Sequence, residues 1–167
     1  MKKICLTITI AVLLLFCLNG LQAQTTQTKL NQVELMKQLI GTWQSEAFQD
    51  TIWTGEIKSY GNGLEWSVKI ELNGKIIREG KAFTGYDKKN DKLIQCDLYK
   101  DSPNIVLNLI WFTSANKYQE VSFEDSSNPG KASFVSKFEL KSPDLVIEND
   151  FLNDKLINTY TAHRIKK

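Results

Sequence analysis

Two arginines, one histidine and one cysteine are the most chemically distinctive residues after residue 23. Arg78 lies in the segment KIIREGKAFTGY, and Arg164 follows His163 near the C-terminal end. A guanidinium binds a carboxylate through two parallel hydrogen bonds, so an arginine that faces a cavity is a candidate anchor for an anionic ligand. Exposure to solvent and pairing with a neighbouring glutamate is the alternative role for Arg78.

The segment around Arg78 alternates between two faces, as a strand does. One face carries mostly small and polar side chains, namely Ile76, Arg78, Gly80, Ala82, Thr84 and Tyr86. Small residues inside a barrel leave volume that side chains do not fill, as a ligand cavity requires. The pattern therefore predicts Arg78 and Tyr86 as ligand-binding residues. An interior carboxylate such as Asp97 would neutralise a buried Arg78 when no anionic ligand is bound.

Catalytic and metal-binding arrangements are missing from the sequence. It has no His/Cys cluster with the spacing of metal ligands, no recognisable pairing of a nucleophile with a base, and no glycine-rich phosphate loop. Cys96 stands between Gln95 and Asp97 in a strand pattern and is interpreted as a small buried side chain. We therefore expect no enzyme activity, no metal site and no other cofactor.

The first residues have the composition of a secretory signal. Lys2 and Lys3 precede an apolar run that ends at Leu18, and Ala23 follows shortly after. A charged start, an apolar stretch too short to span a membrane comfortably and a small residue before the cut are typical of a signal peptide. The sequence predicts cleavage after Ala23, which leaves residues 24–167 as one periplasmic or secreted bacterial domain that is not inserted in the membrane.

A lipid anchor on Cys17 is the alternative fate of this segment. The bulky Phe16 precedes Cys17 at a position where a lipoprotein signal carries a small residue, which disfavours the anchor. Because Cys5 and Cys17 lie in the predicted signal, Cys96 has no partner for an internal disulfide. The two lysines of the signal account for the formal net charge of +2, so residues 24–167 are formally neutral. A neutral, mixed surface predicts no nucleic-acid partner.

Hydrophobic periodicity predicts one short helix followed by strands. Apolar residues recur at three- and four-residue spacing from Val33 to Ile40, and Gly41 ends this pattern. The period is two from Thr42 onward, and turn-forming residues divide the chain. Strands are predicted near 42–49, 52–60, 64–72, 75–85, 92–100, 105–113, 117–125, 131–140, 145–151 and 155–165. This spacing predicts an all-β fold, an antiparallel up-and-down meander β-barrel of about ten strands with one short N-terminal helix.

The segment LIGTWQS joins the predicted helix to the first strand. Gly41 permits a tight corner there, and Trp43 supplies a large apolar face. With Arg164 on the last predicted strand, this arrangement resembles the calycin superfamily of lipocalins, fatty-acid-binding proteins and nitrobindin-like barrels. The resemblance implies that Trp43 plugs the closed end of the barrel and that Arg164 stacks across its ring. If Trp43 points inward, the small residues Ser45 and Ala47 do so as well.

The same resemblance implies a function. Calycin barrels bind small hydrophobic or amphipathic molecules, and a fatty acid is one candidate ligand for this chain. Tyr160 shares a strand face with Arg164 and resembles, with imperfect spacing, the tyrosine of the carboxylate clamp in fatty-acid-binding proteins. Tyr160 is therefore a third predicted ligand-binding residue, and a core tyrosine is its alternative role.

Two other functions remain open at this point. One is an envelope-associated interaction module whose barrel is filled by side chains and binds no small molecule. The other is a nitrobindin-like haem protein with His163 as the iron ligand. His163 alternates with Arg164, so an inward Arg164 predicts an outward His163. The glycine-rich opening motif of nitrobindins is also missing.

Overall fold

The computed structural model describes residues 29–48 and 50–166. The predicted signal segment, its cleavage after Ala23 and Cys17 all lie outside the described residues, so these remain predictions. The side chain of Ala47 is also outside the described part. None of the helices in the described part is long and apolar enough to span a membrane.

The described chain begins with a short helical element. Helix α1 covers Gln32–Met36, and a 3-10 turn follows at Lys37–Leu39. Asn31 caps the helix, because its side-chain oxygen accepts a hydrogen bond of 3.2 Å from the Glu34 backbone N–H. Gly41 then starts the first strand at a φ of 138°, a conformation that favours glycine. A side chain at Gly41 would collide with the Arg164 guanidinium and the Lys166 carbonyl.

Ten antiparallel strands follow and close into one barrel. Each strand pairs with its neighbours in sequence, and the last strand pairs with the first. The strands are β1 Gly41–Phe48, β2 Thr51–Tyr60, β3 Gly63–Leu72, β4 Lys75–Asp87, β5 Lys92–Tyr99, β6 Ile105–Ser114, β7 Lys117–Ser122, β8 Phe134–Ser142, β9 Leu145–Leu152 and β10 Lys155–Lys166. The predicted fold class, a ten-stranded meander barrel with one short helix, is confirmed.

Tight hairpins account for the strand boundaries that the sequence predicted well. Asn73 and Gly74 have φ values of 51° and 73°, and Asn153 and Asp154 have values of 49° and 63°. Two successive positive φ values are typical of the type I′ turn, whose twist matches that of antiparallel strands. Asn, Asp and Gly tolerate this conformation better than other residues, which explains their positions here.

The connection between β7 and β8 differs from the prediction. The predicted strand 117–125 ends at Ser122, and 3-10 turns form at Phe123–Asp125 and Pro129–Lys131. The Ser122 hydroxyl accepts a hydrogen bond of 3.3 Å from the Glu124 backbone N–H, which starts the first turn. The second turn includes Lys131, the first residue of the predicted strand 131–140, so β8 begins only at Phe134.

Helix α1 covers one end of the barrel, where a buried cluster joins Met36 and Leu39 to Trp43, Phe112 and Tyr118. Gln32 fixes the helix to β6. Its Nε2 donates to the Phe112 carbonyl at 3.1 Å, and its Oε1 accepts from the Phe112 N–H at 2.7 Å. The β5–β6 pairing ends at this side with Leu93 and Ile110. The Gln32 amide then provides the hydrogen bonds to Phe112 that a further residue of β5 would otherwise make.

Replacement of Gln32 by Met should destabilise the protein by about 1–3 kcal/mol, because the buried Phe112 N–H and C=O would lose their partners. Gln38 offers a matched control. It donates to the Ala115 carbonyl at 3.1 Å on the exposed side of the same helical segment, so Gln38→Met should cost roughly 0.5 kcal/mol or less. Urea unfolding curves measure both. Equal losses for the two variants would contradict the anchoring role of Gln32.

Candidate ligand-binding cavity

The barrel encloses a cavity of about 600 Å³, to which all ten strands contribute side chains. Cavities of roughly 300–1,000 Å³ are typical of small-molecule sites. Trp43 and Leu39 lie at its closed end, beneath the helix. Arg78 and Val106 also line it, and both are close to half exposed. The cavity therefore opens at the end of the barrel opposite to α1, which we call the mouth.

Trp43 and Arg164 seal the closed end. Trp43 is 3% exposed, and its Nε1 donates to the Leu39 carbonyl at 2.8 Å. The Arg164 Cζ atom lies 4.1 Å from the centroid of the Trp43 ring, so the stacking that the resemblance implies is present. The Arg164 guanidinium also donates to the backbone carbonyls of Gln38, Ile40 and Pro143. It thereby joins the helical segment to the β8–β9 turn.

One wall of the cavity is apolar and rich in tryptophan. Trp53 on β2 is paired with Ile70 on β3, and Ile57 is paired with Trp66. A side chain at Gly55 would collide with the Trp53 indole, so glycine leaves room for the ring against the wall. The Trp66 Nε1 donates to the Thr84 hydroxyl at 2.9 Å. This wall offers aromatic and branched aliphatic surface to a ligand.

A hydrogen-bonded chain of polar side chains starts beside that wall. The Thr84 hydroxyl donates to Gln95 Oε1 at 3.0 Å, and Gln95 Nε2 donates to Asp97 Oδ1 at 3.0 Å. Asn108 Nδ2 donates to the other Asp97 oxygen at 3.1 Å. Asp97 is only 7% exposed, and this burial raises the pKa of its carboxyl. Both Asp97 oxygens thus have amide donors but no cationic partner.

Two glutamates extend the polar wall on β7 and β9. Burial, together with nearby acids, raises the pKa of Glu120 to about 8 and that of Glu148 to about 7. The neighbouring Asp150 carboxyl contributes to the raised pKa of Glu148. The Ser136 hydroxyl donates to Asp150 Oδ1 at 2.7 Å. No ion pair joins Asp97, Glu120, Glu148 or Asp150 to a described lysine, arginine or histidine.

Ser45 on β1 completes the polar groups of the cavity. The residue is 7% exposed and lines the cavity. Its Oγ has no hydrogen-bond partner among the described residues. Buried hydroxyls are normally hydrogen-bonded, because an unpaired one keeps its desolvation cost. Ser45 therefore offers an unused donor and acceptor to a molecule inside the barrel.

The structure brings Arg78 and Tyr160 to the cavity and leaves Tyr86 outside it. The Arg78 side chain lies at the mouth and is 45% exposed. Its Nε is 3.3 Å from Asp101 Oδ2, and its Cζ is 4.6 Å from the Tyr99 ring centroid. The partner of Arg78 is therefore Asp101 in the β5–β6 turn, and neither Asp97 nor a neighbouring glutamate. Tyr160 lines the cavity and faces Glu148 across the β9–β10 pair.

Tyr86 lies past the closed end of the cavity. It is exposed, and its hydroxyl donates to Asp91 Oδ1 at 2.7 Å. Asp91 in turn pairs with Lys29, just before the helix, at 3.3 Å. Strand alternation predicts the face of a residue but not its height along the barrel, so the prediction that Tyr86 binds the ligand together with Arg78 is wrong in position. His163 is exposed, as its alternation with Arg164 predicts, and Cys96 is a partly buried free thiol.

Glu120 and Glu148 are two acidic cavity residues that the sequence did not predict as ligand-binding. Each follows a buried apolar residue by two positions, Glu120 after Tyr118 and Glu148 after Val146. That spacing places each glutamate on the inner face of its strand. A charged residue in phase with buried ones was the available signal.

Comparison with models of known protein families and with curated protein sequences finds no match to this chain. The closed ten-stranded antiparallel barrel is compatible with a calycin-like fold. Function must therefore be argued from the cavity itself.

Proposed function

We propose that this protein binds a small, largely apolar molecule inside its barrel and does so without catalysing a reaction. The cavity of about 600 Å³ behind an aromatic wall is the observation that carries this proposal. Binding sites for small molecules are typically concave and mostly apolar, with a few polar groups that orient the ligand. The tryptophan wall and the separate polar wall correspond to those two parts.

The surface around the mouth supports the same function. Exposed apolar side chains cluster at the ends of three hairpins that border the opening. They are Leu72, Ile76 and Ile77 on β3–β4, Leu98, Ile105, Val106 and Leu107 on β5–β6, and Leu152, Leu156 and Ile157 on β9–β10. An apolar molecule that approaches the mouth thus meets apolar surface before it enters the cavity.

Export forms part of the proposal and rests on the sequence. The lysines, apolar run and small residue of segment 1–23 support delivery to the periplasm or beyond, followed by cleavage after Ala23. A binding protein in that location would take up its ligand outside the cytoplasm.

The rival functions have weaker support. An interaction module with a barrel filled by side chains would leave no cavity, whereas this barrel contains one, and the Ser45 hydroxyl inside it has no partner among the described residues. A haem site at His163 would need that ring to face the cavity, whereas Ala162 is the cavity residue and His163 is exposed. A fatty acid remains the finer candidate implied by the calycin resemblance. The acidic groups of the polar wall disfavour it, because those that are ionised repel a carboxylate in a poorly solvated site.

Filling the cavity should abolish ligand binding. We expect the purified protein to bind the neutral fluorescent probe N-phenyl-1-naphthylamine saturably. Ala162→Trp should weaken this binding at least about tenfold, because the indole would occupy cavity volume. Ala115→Trp is the matched control, since Ala115 is exposed in the β6–β7 turn, and it should leave binding unchanged. No saturable binding by the wild type, or equal binding by all three proteins, would refute the proposed function.

A further inference from the structure

We propose that the cavity selects a ligand with a protonated amine at one end of an apolar body. Glu120 and Glu148 would bind the ammonium group, and the tryptophan wall would cover the apolar body. This inference rests on the proposed function and names the class of its ligand.

The distribution of charge inside the barrel is the first argument. Asp97 receives two amide N–H groups and Asp150 receives a hydroxyl. No hydrogen bond or ion pair from a described residue reaches the Glu120 carboxylate. Among the described residues, Arg78 is the basic one that lines the cavity, and Asp101 holds it at the mouth. A cation inside the barrel would therefore meet the Glu120 carboxyl group, which has no partner among the described residues.

Ser45 supplies an independent argument. Its buried Oγ lines the same cavity and has no partner among the described residues. Ser45 on β1 is the register partner of Ala162 on β10. Tyr160 precedes Ala162 by two residues on the same strand face, and it is the register partner of Glu148 on β9. The unpaired hydroxyl, the phenol and the carboxylate thus follow one another along one wall. An ammonium group has three N–H donors, and all three of these groups contain oxygen acceptors.

An organic cation fits this wall better than a metal ion. Within the described part of the chain, no group of three His, Cys, Asp or Glu side chains is arranged to hold a metal. The adjoining wall begins at Trp53, the register partner of Ser45, and continues through Trp66 and aliphatic residues. These side chains contribute nothing to metal binding but cover an alkyl or aryl body. Indole faces also attract ammonium groups.

Proton linkage follows from the same contacts. Glu120 interacts with the acids Asp97, Glu148 and Asp150 and with the phenols of Tyr99 and Tyr118. Two further titratable or charged residues, Arg78 on β4 and Tyr160 on β10, line the same cavity. The raised pKa of Glu120 reflects burial and the three other acids. An ammonium group favours the ionised carboxylate, so amine binding should release a proton near neutral pH.

The test compares three ligands with the same decyl chain, namely decylamine, decanol and decanoate, in displacement of N-phenyl-1-naphthylamine at about pH 8. We expect decylamine to bind about 10- to 100-fold more tightly than decanol, as for a hydrogen bond to a charged group. Decanoate should bind more weakly than decanol. Equal affinities of the three would overturn the amine inference and leave the cavity function intact. If neither the probe nor any decyl compound binds, the proposed function fails together with the inference.

Substitutions identify the side chains that make the cavity prefer an amine over an alcohol. Glu120→Gln keeps the shape and removes the charge, so the ratio of decylamine to decanol affinity should fall close to unity while decanol binding is retained. Glu124→Gln is the control, since Glu124 is exposed in the β7–β8 connection, and it should keep the wild-type ratio. A wild-type ratio in Glu120→Gln would overturn the assignment.

If Glu120→Gln does not fold, two other measurements test the inference, namely the pH dependence of ligand binding by the wild type and ligand binding by Glu148→Gln. The amine-to-alcohol ratio of the wild type should rise between about pH 6 and pH 8.5, since decylamine stays protonated while the cavity carboxyls ionise. Glu148→Gln should reduce the ratio as well. A ratio that does not change with pH would overturn the inference.

Discussion

The ligand-free barrel is expected to lose stability as the pH rises from about 5 to about 9. The pKa of Glu120 is about 8 in the folded protein and that of Glu148 about 7, against 4.5 for an ordinary glutamate. The folded state therefore holds protons that the unfolded chain has released, and the free energy of unfolding falls with pH across this window. Each unit of difference is worth about 1.36 kcal/mol, so the total loss is on the order of several kcal/mol.

Urea unfolding at a series of pH values measures this loss. The pH range begins near 5 because other acids affect stability below it. Lysine partners lower the pKa values of exposed acids such as Glu79 and Glu139, so these acids make the free energy of unfolding rise with pH in the more acidic range. The Glu120→Gln variant has no proton to release at this position. It should match the wild type near pH 5 and exceed it in stability near pH 8.5. A wild-type stability that is constant from pH 5 to pH 8.5 would show that these carboxyls are not buried as described.

The seal at the closed end should produce the largest effect of a single substitution. Trp43→Ala should destabilise the protein by about 3–5 kcal/mol, because it removes a buried indole and its hydrogen bond to Leu39. Arg164→Ala should cost less, through loss of the stacking and of the bonds to three carbonyls. The double variant should fall short of the sum of the two, since residues in contact couple energetically.

A second tryptophan provides a control for that cycle. Lys92 Nζ lies 4.8 Å from the Trp111 ring centroid, and both residues are only partly buried. An accessible pair of this kind should show a coupling energy of roughly 0.5–1 kcal/mol or less. Coupling between Trp43 and Arg164 should be clearly larger. Strict additivity for Trp43 and Arg164 in denaturant melts would mean that the two side chains do not act together.

Strand alternation in the sequence predicts part of the cavity lining. It placed Arg78, Ala82 and Thr84 on one face of β4, and it placed Tyr160 in phase with Arg164 on β10. Arg78, Ala82 and Tyr160 do line the cavity, and Thr84 bonds to two residues that do. Alternation suffices for such assignments because successive side chains of a strand point to opposite faces.

Height along the barrel and the choice of ion-pair partner could not be predicted. Tyr86 shares the face of Arg78 but lies beyond the closed end of the cavity, and Arg78 pairs with Asp101 from a turn. Both outcomes depend on the stagger between neighbouring strands. The bulge between Ile70 and Glu71 in the β3–β4 pair is part of that stagger and has no signature in the sequence.

The acidic wall was missed for a related reason. Glu120 on β7 and Glu148 on β9 belong to strands that do not pair with each other, because β8 lies between them. Their effect on each other depends on side chains that reach across an intervening strand. The phase of each glutamate with a buried neighbour predicts an inward side chain, but it does not predict that the two carboxyl groups lie near each other.

The pairing of β1 with β10 also has a consequence for the order of folding. Every other pairing joins strands that are consecutive in sequence, whereas this seam joins the two ends of the barrel sequence. Closing so long a loop costs the most chain entropy, so the seam should form after the hairpins. Trp43 and Arg164 are register partners across it. The step that closes the barrel is therefore also the step that covers the indole, and the protein has no enclosed cavity to offer a ligand before its last strand has joined the first.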